Sequence, residues 1–122
     1  VRLFSASSLF AGKIHALLYR KWGNRVKGRD FYDYIWYLSK NIKVDLNHLS
    51  NRMKQTEHLK DGETLTREML VNMLLNKFAE VDFQQAKNDV FPFIKNSESL
   101  NLWSEDFFKK VTEDKLIGVN NA

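Results

Sequence analysis

The stretch LFAGKIHALLYR, residues 9–20, followed after a short loop by KGRDFYDYIWYL, residues 27–38, decides how this chain folds. Apolar residues at Leu9, Phe10, Ile14, Leu17 and Leu18 recur every three to four positions, the spacing of a helix that buries one face. Ser5, Ser7 and Ser8 stand ahead of them as start signals, so a first helix is expected from about Ser7 to Trp22. Gly23-Asn24 stops it, because both residues tolerate the left-handed conformation, and the loop to Gly28 carries Arg25 and Lys27. A second helix is expected from Arg29 or Asp30 through Phe31, Tyr34, Ile35 and Leu38 to about Lys40, where Asn41 ends it.

The same signals continue outward. Asp45 is the expected cap of a third helix with Leu46, Leu49, Met53 and Leu59 on one face, and Asp61-Gly62 turns the chain. Thr66, with Thr64 as its rival, caps a fourth through Leu70, Leu74 and Phe78. Asp82 opens a fifth segment from Phe83 to about Phe91, which Pro92 ends or kinks through its missing donor and ring sterics. Asn96 to Leu100 reads as a loop, and a last helix runs from Trp103 to about Glu113. The expected fold is all-α, a bundle of about five to six helices over residues 7–117. A strand remnant over residues 1–6 precedes it, and a flexible tail over residues 118–122 follows it. The Val1-Arg-Leu-Phe opening reads as the end of a strand that has lost its neighbours, so the chain is expected to be a fragment.

Composition narrows the function. Nine Phe, three Trp and four Tyr among 122 residues provide for one modest core. The net charge of +4 comes from nineteen Lys and Arg set against fifteen Asp and Glu, which permits phosphate partners without singling them out. With no cysteine, disulfides, thiolate metal sites and thiol catalysis are excluded. No apolar run approaches the roughly 18 to 20 residues that span a bilayer, so no membrane partner and a cytoplasmic location are expected.

The chemistry concentrates in the opening motif. Lys13 and Arg20 are seven apart and leave the first helix along nearly one line, with an apolar stripe between them. The second helix opens with Asp30 and Asp33 at i, i+3, and the short loop makes the two helices antiparallel neighbours, so a Lys of one can meet an Asp of the other. A structural reading competes with a catalytic one. Carboxylates in a first turn complement the helix dipole, Arg29 can pair with Asp33 at i, i+4, and Lys13 can snorkel from an apolar face. Spacing alone favours that structural reading. His15, His48 and His58 are not spaced as metal ligands and are assigned no function. The aromatic run Phe31, Tyr32, Tyr34, Trp36, Tyr37 indicates core packing, with Tyr32 the ring placed for nucleotide contact. Gly12, costly in a helix, points to a close approach of backbone or ligand, or to close helix packing.

The two quoted runs resemble the Lys-containing and Arg-Asp-x-x-Asp motifs of the AbiEii/AbiGii nucleotidyltransferase toxins. FQQAKNDVFPFI (83–94) and LNLWSEDFF (100–108) resemble that family's C-terminal segment. The resemblance covers nearly the whole chain and implies the helical C-terminal part of a toxin from a toxin–antitoxin or abortive-infection system. The Gly-Ser element and Asp-x-Asp metal pair of the family have no counterpart here, so the resemblance implies a missing N-terminal nucleotidyltransferase core and no activity for this part alone. It makes Lys13 the nucleotide-contacting lysine and Asp30 the motif aspartate, with Asp33 the second choice. Arg20, Arg29 and Tyr32 would be nucleotide contacts. For the full-length protein it implies an NTP with Mg²⁺, a tRNA acceptor and a cognate antitoxin. The alternative is a non-catalytic helical module that binds RNA or protein through the basic loop, with the Lys–Asp group as a brace.

Overall fold

The computed structural model describes residues 5–19, 27–94 and 97–119. Among these residues the chain forms six α-helices: α1 (Ala6–Tyr19), α2 (Gly28–Ser39), α3 (Leu46–Gln55), α4 (Arg67–Glu80), α5 (Phe83–Val90) and α6 (Glu105–Lys115). Two-residue strands β1 (Val44–Asp45) and β2 (Gly118–Val119) pair in parallel, Val44 beside Gly118 and Asp45 beside Val119. The helical bundle expected from periodicity is therefore the fold. None of the helices among the described residues is long and apolar enough to cross a membrane.

The caps explain where most helices begin. Side chains of Asp45, Thr66, Asp82 and Ser104 accept from the backbone N–H three residues on, at 3.0, 3.2, 3.1 and 3.1 Å, satisfying donors that a helix start leaves unpaired. Ser5 does the same for α1, accepting from the Ser8 N–H at 3.1 Å. Ala6 is thus already helical, one residue before the boundary drawn at 6/7. Residues 1–4 of the expected strand remnant lie outside the described residues, as do Arg20, Trp22 and the loop residues Gly23 to Arg25. Asn41, at φ 58°, ends α2, with its N–H on the Leu38 carbonyl and the Ile42 N–H on the Tyr37 carbonyl. This is the left-handed stop that Asn makes at low cost.

Helix α2 begins differently. Lys27, its cap position, makes no side-chain cap bond; the Gly28 N–H instead donates to Asp89 Oδ2 of α5 at 3.3 Å. A side-chain carbon on Gly28 would lie 2.1 Å from the Ala86 carbonyl oxygen, so the start of α2 is seated against α5 as only glycine permits. Gly12 is a contrasting case. A carbon there would meet the Arg52 guanidinium at an ordinary 3.8 Å, and helix packing among the described residues does not demand glycine.

Helix α1 packs on α2, α3 and β1, α2 on α5, and α4 on α6. Phe108 sits at the centre of an aromatic core, with ring centroids 5.0 to 5.6 Å from Phe83, Phe78, Trp103 and Phe31. The mostly tilted and edge-on rings suit their quadrupoles. Of the aromatic run in α2, Phe31 and Tyr34 are buried, Tyr37 stacks on Phe10 at 4.9 Å, and Tyr32 and Trp36 are exposed. Two polar ties close the bundle. Tyr34 Oη meets Thr112 Oγ1 at 2.6 Å in the core, and Arg67 donates from Nε to the Leu116 carbonyl at 2.7 Å and from Nη2 to the Glu113 carbonyl at 3.0 Å.

Several boundaries differ from the sequence reading. The fifth helix stops at Val90, and Phe91–Phe93 form a 3-10 turn around Pro92. Within the loop expected over Asn96 to Leu100, the described residues open a 3-10 stretch, Ser97–Leu102, and α6 begins at Glu105 behind the Ser104 cap, two residues after the expected Trp103. Leu59 is buried but lies beyond the end of α3. Gly118 and Val119, placed by the sequence in the tail, are paired with β1; a two-residue strand carries no alternating pattern from which to predict it.

The core hydroxyl pair is directly testable. Tyr34→Phe leaves Thr112 facing an apolar ring edge, and urea unfolding should give a stability about 1 to 2 kcal/mol lower than wild type.

Candidate active site

Helices α1 and α2 lie side by side, and the side chains of Lys13 and the first turn of α2 converge between them. Lys13 Nζ lies 3.2 Å from Asp30 Oδ1 and 2.9 Å from Asp33 Oδ2. Asp30 is buried, at 3% exposure, while the side chains of Lys13 and Asp33 retain 24% and 30%. Asp33 therefore pairs across the helix interface and not with Arg29 of its own helix, the local alternative that the spacing also allowed. An ammonium has three donors, and two point at carboxylates here, leaving the third for an incoming acceptor. Burial by itself would lower the Lys13 pKa. The hydrogen bonds and charges of Asp33 and Asp30 outweigh it, so the pKa sits above the ordinary 10.5 and the group is a cation throughout the neutral range.

The other expected nucleotide contacts divide. Arg29 and Tyr32 stand exposed beside the triad and, with Asp33, line a cavity of about 570 Å³. Arg20 lies outside the described residues. Lys27 and Asp89 also line this cavity, and Asp89 is the residue that sequence reading passed over. It carries no motif and lies 61 positions from Gly28, whose N–H it receives; Gln85 Nε2 fixes the same oxygen at 2.6 Å. Through that bond α5 sets the start of the helix that presents Asp30 and Asp33.

Histidines that appear unrelated in the sequence meet between α1 and the end of α3. His15 Nε2 is 3.1 Å from Thr56 Oγ1, which is 2.7 Å from His58 Nδ1, and the His58 ring stacks on Tyr19 at 3.6 Å. No group of three His, Cys, Asp or Glu that could hold a metal forms among the described residues. Carboxylates for a Mg²⁺ ion are thus not gathered by these residues, and Asp30 and Asp33 are engaged by an ammonium. The arrangement suits a fixed cation for phosphate oxygens better than a metal cage.

Two predictions follow from these groups. Lys13→Met removes the ammonium from a buried carboxylate and should lower unfolding free energy by about 2 to 3 kcal/mol, whereas Asp33→Ala, at a part-exposed position, should cost under about 1 kcal/mol. Adding Asp30→Leu to Lys13→Met should recover part of the loss. Burial, then the Arg52 and His58 charges, hold the His15 pKa below the ordinary 6.5. The unfolded chain therefore takes up this proton first as pH falls, and the His15 share of stability is lost from about pH 7 downward through the lowered pKa. The melting temperature of His15→Gln should fall less than that of wild type between pH 7.5 and 5.5.

No curated protein and no solved structure matches the chain significantly. A family model does match, over residues 1–112, and it describes the nucleotidyl transferase AbiEii toxin of type IV toxin–antitoxin systems. That span contains all six helices' starts and the whole Lys13, Asp30 and Asp33 group. The chain belongs to the AbiEii nucleotidyl transferase toxin family.

Proposed function

We propose that this chain is the helical part of a cytoplasmic NTP-dependent nucleotidyltransferase toxin, and that its Lys13 ammonium binds the phosphates of the nucleotide. The observation that carries the reading is the ammonium held at 3.2 and 2.9 Å by two carboxylates of the next helix, with exposed Arg29 alongside. Its neighbours fix the direction of Lys13, so a phosphate oxygen meets a pre-oriented donor and the site need not reorganise as charge develops. Asp30, enclosed and committed to the ammonium, is assigned to orientation. Asp33 is the more exposed of the two and the one accessible to an acceptor hydroxyl.

In the reaction, an acceptor hydroxyl oxygen bonds to the α-phosphorus and gives up its proton to Asp33, the bond to the bridging oxygen breaks, and pyrophosphate leaves with the electron pair. The NMP is thereby joined to the acceptor, for which tRNA is proposed. Mg²⁺ would supply charge neutralisation on the leaving phosphates when bound. Its ligands are assigned, on the family resemblance, to the Gly-Ser and Asp-x-Asp nucleotidyltransferase core. Activity then requires both parts, and a cognate antitoxin is the partner that restrains it.

The test uses the full-length protein. Lys13→Ala and Asp30→Ala should each lower the rate of labelled NMP transfer by about 100-fold or more and relieve growth arrest, with circular dichroism showing the helices retained. Wild-type transfer by a folded Lys13→Ala protein would refute the assignment.

A further inference from the structure

The cavity beside the Lys13 group lies between the first turn of α2 and the end of α5, and its wall includes Arg29, Tyr32, Asp33, Val90, Phe93 and Ile94. Its volume, about 570 Å³, falls within the roughly 300 to 1,000 Å³ of small-molecule sites. Two of its aromatic rings are open to solvent, Tyr32 at 39% and Phe93 at 85% exposure. Phe93 is held there by the backbone. Pro92 ends α5, and the turn Phe91–Phe93, with the Ile94 N–H on the Phe91 carbonyl, stands the ring away from the core. Asp33 belongs to both places, since its Oδ2 contacts Lys13 and its side chain lines the cavity. A ligand anchored on the ammonium therefore continues into the aromatic wall.

We infer that this cavity receives the base of the incoming nucleotide, with Phe93 and Tyr32 as its stacking groups and Arg29 at the phosphate end. The inference rests on the nucleotidyl transfer proposed above and adds to it the turn that binds the base. Every nucleobase offers a flat π-face to an aromatic ring, and a guanidinium next to that ring complements the phosphate charge. A cavity whose wall includes Asp33, the partner of the ammonium, suits one mononucleotide with its phosphates toward Lys13. Stacking is tolerant of base identity, so Phe93 serves all four NTPs alike.

The experiment measures, in the full-length protein, the affinity of each NTP and of inorganic tripolyphosphate, which has the charge but no base. Phe93→Ala should weaken all four NTPs by about ten-fold or more and leave tripolyphosphate unchanged, while Phe93→Trp retains wild-type affinity. Because Phe93 is 85% exposed, its truncation leaves the core intact. Unchanged NTP affinity in Phe93→Ala would overturn the inference, as would an equal loss for tripolyphosphate. A raised KM for the acceptor RNA with NTP affinity unchanged would give the cavity to the acceptor and overturn it too. Lys13→Ala separates the two levels: if Lys13→Ala is inactive and Phe93→Ala binds normally, the base site alone fails, and if Lys13→Ala is active, both readings fall.

Discussion

A carboxylate at 3% exposure in a helical core needs a cation and hydrogen bonds around it, or its burial is costly. Asp30 is such a group, and the rest of the architecture is arranged so that Lys13 reaches it. Helix α1 must lie along α2 in one register for the ammonium to arrive, and a one-position change in either helix would turn one of the charges by about 100° and part them. The pair thus specifies the docking of two helices whose aromatic contacts, such as Phe10 on Tyr34 and Tyr37, are less selective. Asp33, nearly one full turn further along α2, receives the same ammonium where water can also reach it. One lysine therefore serves a structural carboxylate and an accessible one together.

That geometry is underwritten from a distance. The start of α2 has no cap of its own and borrows Asp89, while Gly28 lets the helix end come within contact of the α5 backbone. The charges at the α1–α2 seam depend in this way on a helix with no ionic group in the triad. Asp89 also lines the cavity whose far wall is the Phe91–Phe93 turn, so α5 supplies both the support behind the charged group and the surface beside it.

The helices were legible because their signals are local. Asp45, Thr66 and Asp82 each cap the helix that their own chemistry announces, and Asn41 stops α2 by adopting the one conformation for which Asn is suited. The meeting of Lys13 with Asp30 and Asp33 was legible for a related reason, since a short connection leaves two helices few ways to lie. The Arg29–Asp33 alternative was also consistent with spacing, and the approach of Lys13 from α1 to 2.9 Å of Asp33 decided against it. Other features depend on partners far along the chain. Asp89 as a cap, the convergence of His15 on Thr56 and His58, and the pairing of Gly118 with Val44 have no local pattern, because each is created by packing between distant segments.

The parallel pairing of β1 with β2 bears on how the molecule is made. Its two strands enclose α3 to α6, and the Val44 N–H waits for the Ile117 carbonyl, at 2.9 Å, just as Tyr34 waits for Thr112 and Arg67 for Leu116. Such non-local closures delay the final step of assembly until residues 112–119 have been synthesised. The helix pair bearing Lys13 and Asp30 is synthesised first, and its Asp89 support arrives some sixty residues later. The charged motif therefore leaves the ribosome before the scaffold that aligns it, and its finished geometry waits for α5.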